Sequence, residues 1–117
     1  MWVEVVPYAS AADAELSLRQ VPRFFVGVAE PDEEVTGERV MDDQDLPDVS
    51  DTWVYEKSID GPRGATVSRY VAGTVERILF LTCFSTPGEP WPWVDVVELS
   101  GLQAHRVRRC LQADAQK

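Results

Sequence analysis

The chain is poor in the residues that carry most chemistry. Its 117 residues include one histidine and two cysteines, and 20 acids outnumber 11 bases for a net charge of −9. Each scarcity excludes something. A zinc site takes about four clustered ligands, and Cys83, Cys110 and His105 do not supply them, so no metal is expected. An acidic body lacks the basic face that nucleic acid and anionic membrane require, so neither is expected as a partner. No apolar run approaches the roughly 20 residues of a membrane span. Met1-Trp2-Val3-Glu4 has no basic stretch leading into an apolar one. No signal peptide is therefore visible, and a cytoplasmic location is expected, although an exported chain stripped of its leader would read the same.

Cofactor and metal loops are also missing. Gly61-Pro62-Arg63-Gly64 fits neither the GxxxxGK[ST] nor the GxGxxG spacing, so it reads as a tight connection and no cofactor is expected. The aspartate-rich run Asp42 to Asp51 fails the calcium-loop pattern: counted from Asp43, the sixth residue is Asp48 where glycine is needed, and the twelfth is Val54 where glutamate is needed. A solvated surface loop is the better reading. Cys83 and Cys110 belong to no CxxC pair and read as reduced, largely buried thiols, with a strand-to-helix disulfide as the alternative.

What the chain does have is enough apolar material for one core: 44% of its residues are hydrophobic, in a length suited to a single domain over 1–117. The charge is uneven. Residues 1–60 hold 15 acids against 4 bases, and residues 61–117 hold 5 against 7. The one basic cluster is Arg106, Arg108, Arg109 and Lys117. Bases there complement a helix C-terminus, as Asp95 and Glu98 complement its start. The competing reading is a partner-binding patch at Arg106 and Arg109.

Hydrophobic periodicity sets the elements. Trp2 to Val6 is a short strand stopped by Pro7. Ser10-Ala11-Ala12-Asp13 has capping-box form, and a short helix runs from Ala11 to Gln20 before Pro22. Phe24-Phe25-Val26 is extended chain or a single turn. Glu30 to Gly37 is an acidic loop, and Glu38 to Met41 is a strand with Val40 pointing inward. From Thr52, Trp53, Tyr55, Lys57 and Ile59 alternate with Val54, Glu56 and Ser58, a strand with one well-buried face. Ala65 to Val71 is the next strand, Ala72-Gly73 the hairpin turn, and Thr74 to Ser85 the longest strand. Ile78 to Phe84 is apolar on both alternations, which marks a central strand covered on both sides. A last helix, Trp93 to Ala113, has the stripe Trp93, Val96, Val97, Ser100, Ala104, Val107 and Leu111. His105 falls off that stripe and should face water.

This order predicts an α+β fold: a mainly antiparallel sheet of four to five strands, with a short N-terminal and a long C-terminal helix packed on it. Both helices are expected on one sheet face. The other face then needs a cover, from residues 22–50 or from a second subunit.

No catalytic constellation emerges, since no nucleophile is placed beside a base. The favoured function is a non-enzymatic binding module acting through a protein partner or as a homodimer. Trp91 and Trp93, on a stiff Trp-Pro-Trp segment, are candidate contacts beside Arg106 and Arg109; the competing role for the tryptophans is to staple the last helix to the sheet. The alternative function is a small-ligand domain or minor enzyme with a pocket between sheet and helices, lined by Arg69, Tyr55 and Tyr70.

Overall fold

The computed structural model describes residues 1–41, 49 and 51–115. The aspartate-rich run at 42–51 lies outside them, apart from Val49 and Asp51. The elements follow in the order β1 (Trp2–Pro7), α1 (Ala11–Gln20), α2 (Pro22–Phe25), β2 (Glu34–Met41), β3 (Thr52–Gly61), β4 (Gly64–Val75), β5 (Ile78–Pro87) and α3 (Trp93–Ala115). The five strands form one sheet in the order β1-β5-β4-β3-β2, antiparallel at every pairing. The fold is therefore α+β, with a short N-terminal and a long C-terminal helix.

Both faces of the sheet are covered by this chain, and each helix takes its own face. On the α3 face, Val54, Val71, Val75, Phe80 and Phe84 meet Val96, Ala104 and Val107. On the α1 face, Tyr55, Tyr70, Ala72, Leu79 and Leu81 meet Leu18 and Val21. The expectation of two helices on one face is corrected. Its physical reason lies in the strand order. β1 and β2 are opposite edges of the sheet, so the chain between them crosses one face, and α1 and α2 lie on that path. The tryptophans at the start of α3 are held by β4 on the other face.

The second cover also removes the argument for association from a bare sheet face. From residues 22–28, Phe25 packs onto the α1 face, while Phe24, Val26 and Val28 stay exposed. Phe25 packs on Tyr70 with ring centroids 4.8 Å apart and on Trp53 at 6.2 Å. Lys57 projects from β3 into this contact and donates to the carbonyls of Phe25, 2.9 Å, and Val28, 2.7 Å. The Phe25 carbonyl, at the end of α2, also accepts from the Val28 amide at 3.2 Å, so the lysine ties the α2 turn and the chain just after it to β3.

Other boundaries shift for identifiable reasons. Ala72-Gly73 is not a turn. β4 continues through it to Val75, making it the longest strand, and Glu76-Arg77 forms the two-residue connection. Glu76 takes φ 54, the positive value that a glycine signal would have advertised. Gly73 serves a different need: a Cβ there would lie 2.6 Å from Val49 Cγ1 and 3.0 Å from Phe80 Cε1. β2 starts earlier than its sequence signal, at Glu34, with an irregularity between Val35 and Gly37. Val40 is 52% exposed, whereas Met41 packs on the core, reversing the expected orientation of that strand. Cys110 is exposed and Cys83 half-buried; both thiols are free. They stand on opposite sides of the sheet, since Cys83 packs with the tyrosine cluster on the α1 face. His105 is exposed on α3.

Candidate binding surface

A concavity sits where the β1 edge meets α1 and α2. It is a groove of about 520 Å³, walled by Val6, Tyr8, Val21, Phe24, Leu79 and Leu81, with Glu4, Ser17 and Gln20 as polar lining. Its parts follow from local sequence. The β-branched run of β1 keeps that strand extended against β5, with Glu4 opposite Leu81 and Val6 opposite Leu79. Pro7 ends the strand. Ser10 then caps α1, its Oγ accepting from the Asp13 amide at 3.1 Å. Pro22 at the first position of α2 turns the chain so that Val21 is buried and the adjacent phenylalanines diverge. Phe25 enters the aromatic cluster, while Phe24 is 70% exposed at the groove.

The outer edge of β1 is the groove's neighbour. β1 pairs only with β5 among the described residues, so its other side carries unpaired backbone groups. Trp2 is 49% and Val5 43% exposed along it. The opposite edge, β2, is protected by its irregularity and by Glu34, Glu38 and Arg39.

Behind the groove lies a buried polar and aromatic layer. Lys57 is 4% exposed, and burial lowers its pKa, partly offset by Glu38. Burial pushes Tyr70 up to about 12, with Cys83 adding to the effect. Burial and then Glu38 raise Tyr55, whose hydroxyl is enclosed without closing a hydrogen bond. Ser68 and Ser85 hydroxyls meet at 2.7 Å, and Cys83 Sγ is 3.5 Å from Ser85 Oγ. The lysine is committed to two carbonyls. The cluster reads as an internal brace rather than a reacting centre.

The residues singled out from sequence separate into three places. Tyr55 and Tyr70 are in that brace on the α1 face. Arg69 is on the α3 face, so the three line no common pocket. Instead, Arg69 joins the tryptophans. Its guanidinium stacks over Trp93 with the central carbon 4.3 Å from the ring centroid, donates to the Trp91 carbonyl, and lies 3.3 Å from Glu56. Glu56 also pairs with Arg39 at 2.8 Å, which makes a charge ladder across β2, β3 and β4. Trp91 packs edge-on against Phe84, ring centroids 5.3 Å apart. Both tryptophans thus have packing roles at the start of α3. Arg106 and Arg109 are exposed, and Arg106 lies about 20 Å along the helix from Trp93 at the usual rise.

Sequence reasoning missed Phe24, Val21, Tyr8 and Glu4 as wall residues. The available signal was the pair Phe24-Phe25 directly after a helix-starting proline, where two adjacent large rings cannot both point inward. Among the described residues, no group of three or more His, Cys, Asp and Glu is placed to hold a metal ion, and no helix is long and apolar enough to cross a membrane. Compared with known proteins, the chain matches no family model, no curated protein and no solved structure.

Proposed function

We propose that the chain is a non-enzymatic binding module that acts through a protein partner, with the groove and the β1 edge as its contact surface. One observation carries this reading. Phe24, an aromatic ring that a folded chain would ordinarily cover, stands 70% exposed over a groove with apolar walls. Exposed aromatics beside a concavity are what interface anchors require on a partner's surface.

The test is selection of peptides from a displayed random library against the wild-type chain and Phe24→Asp. Phe24 is exposed, so this change should leave stability within about 0.5 kcal/mol. Enriched sequences that bind the wild type and lose Phe24→Asp support the reading. No enrichment, or sequences indifferent to the substitution, overturns it.

A second reading has its own support. The groove's 520 Å³ falls within the range of about 300–1,000 Å³ that small-molecule pockets occupy. An environment-sensitive apolar dye that brightens with wild type and not with Phe24→Asp, with no peptide enriched, would favour a small-ligand domain.

A further inference from the structure

We infer that the free edge of β1 accepts an extended peptide segment in which a lysine or arginine stands two residues from an apolar residue on either side, with its cation on Glu4. This rests on the binding-module reading and specifies the partner's chemistry.

The backbone sets the shape of the occupant. On the open side of Trp2–Pro7 alternate residues turn outward, Val3 and Val5 with amide and carbonyl and Pro7 with its carbonyl alone, and only another extended chain satisfies them in series. Such a strand would lie about 4.8 Å beyond β1. Alternation then sets its side chains. Trp2, Glu4 and Val6 stand on the α1 face, because their partners on β5 are Cys83, Leu81 and Leu79. Residues of the incoming strand opposite these three therefore point to the groove side. Those opposite Trp2 and Val6 meet apolar surface. The one opposite Glu4 meets a carboxylate at cross-strand distance.

Glu4 also selects between occupants. A second copy paired through β1 about a twofold axis that keeps the faces aligned has few registers. Centred on Glu4, it sets two carboxylates against each other. Centred on Val3 or Val5, it sets Glu4 against Trp2 or Val6 of the copy, with no cation to receive it. Like charges directly opposite on a sheet are destabilising. A partner with a central base turns the same carboxylate into an attraction, and the excess of acids over bases in this chain, 20 against 11, works in its favour. A carboxylate on an edge strand deters self-pairing while leaving the edge open to a basic strand.

The experiment uses short blocked peptides of alternating valine and threonine with a central lysine. Controls carry a central glutamate, or the lysine sequence with N-methylated backbone. Each is titrated into isotope-labelled protein while backbone amide shifts are followed. The lysine peptide should saturate and move the amides of Trp2 to Val6, Tyr8 and Phe24. The glutamate peptide should bind roughly five- to tenfold more weakly. Glu4→Lys should invert that order, and circular dichroism should confirm that this exposed substitution leaves the fold unchanged. The N-methylated peptide should not bind, because it keeps the side chains and loses the ladder. Equal affinity for both charges, or undiminished binding of the N-methylated peptide, would overturn the inference. So would a concentration-dependent doubling of mass with β1 amides protected, which would seat a second copy there. If the library selection enriches groove-dependent peptides without this pattern, only the strand inference fails; if it enriches nothing, the binding-module reading fails first.

Discussion

Arg69 and Trp93 are locked face to face, the guanidinium carbon 4.3 Å from the indole centroid, at the point where the sheet hands the chain to α3. The same arginine donates to the Trp91 carbonyl and pairs with Glu56. Its Nε and the Trp93 Nε1 are buried without hydrogen-bond partners, so the stack itself and the two polar contacts hold the cluster. Arg69→Ala should cost roughly 2–4 kcal/mol, from a desolvated cation–π contact plus a charged hydrogen bond. Arg69→Lys should recover little of it, because an ammonium lacks the flat fork that spans stack, carbonyl and carboxylate. Urea unfolding of both variants checks this. A lysine variant as stable as wild type would mean that charge alone matters.

Gly73 and Glu76 make a paired prediction about the β4–β5 hairpin. A methyl group at Gly73 would meet Val49 Cγ1 at 2.6 Å, Phe80 Cε1 at 3.0 Å and the Asp51 carbonyl at 3.1 Å. Phe80 is fully buried and cannot retreat. Gly73→Ala should therefore destabilise by about 1–3 kcal/mol through overpacking. Glu76→Gly should do the opposite, by up to about 1 kcal/mol, since glycine adopts φ 54 without strain. The lost Glu76–Arg108 pair, 2.9 Å and exposed, offsets only a little of that gain. Thermal melts of the two variants should move in opposite directions. If Gly73→Ala is neutral, the packing of Val49 and Asp51 on β4 is looser than their contacts imply.

Much of the architecture was legible because it rests on periodicity. The double-sided apolar run Ile78–Phe84 marks β5 as an interior strand covered on both faces, although it lies next to the β1 edge and β4 holds the centre, and the stripe from Trp93 to Leu111 gives α3 its inner face. What periodicity does not encode is which side of a sheet a helix takes. Ala14, Leu18 and Val21 would suit either side; strand order decided. The hairpin turn was misread because glycine signals conformational freedom and close approach alike, and at Gly73 the second need applied. The groove was hidden for a related reason. Its walls come from β1, α1, α2 and β5, segments far apart in sequence, and none of its residues belongs to a chemical motif. Lys57 alternates with Trp53 and Tyr55 as a buried residue does, but the carbonyls that accept from it, Phe25 and Val28, come from a distant segment that the periodicity of β3 does not encode.

Phe80 and Leu81 test the two-layer cover directly. They are neighbours on β5, one packed under α3 and fully buried, the other facing Leu18 and Val21 with 6% exposure. Phe80→Ala should cost about 3–5 kcal/mol and Leu81→Ala about 2–5 kcal/mol. Their effects should add within about 0.5 kcal/mol, because they open cavities on opposite sides of the sheet. Chemical denaturation of the singles and the double gives the comparison. A Leu81→Ala variant that unfolds like wild type would mean that α1 and α2 do not seal their face.

Alkaline titration should show two opposed limbs, because buried lysine and buried tyrosine respond to pH with opposite signs. Burial holds Lys57 below its ordinary value of 10.5, so the unfolded chain binds a proton that the folded chain has begun to release. Stability then rises with pH through the interval between the folded value and 10.5. Tyr70 is raised by burial from 10.0 to about 12, and Tyr55 is raised by burial and by Glu38. Their contribution is fully present below pH 10 and is lost as pH climbs towards 12, since the unfolded chain ionises first. Urea midpoints measured across this range should therefore rise and then fall. Lys57→Met should flatten the rising limb and lower stability by about 1–3 kcal/mol, because the Val28 carbonyl loses the lysine's hydrogen bond and the Phe25 carbonyl keeps only that of the Val28 amide. Tyr70→Phe should keep the rise and make the fall shallower. If Tyr70→Phe leaves the falling limb unchanged, that limb belongs to other groups and the hydroxyl of Tyr70 is better solvated than its surroundings indicate.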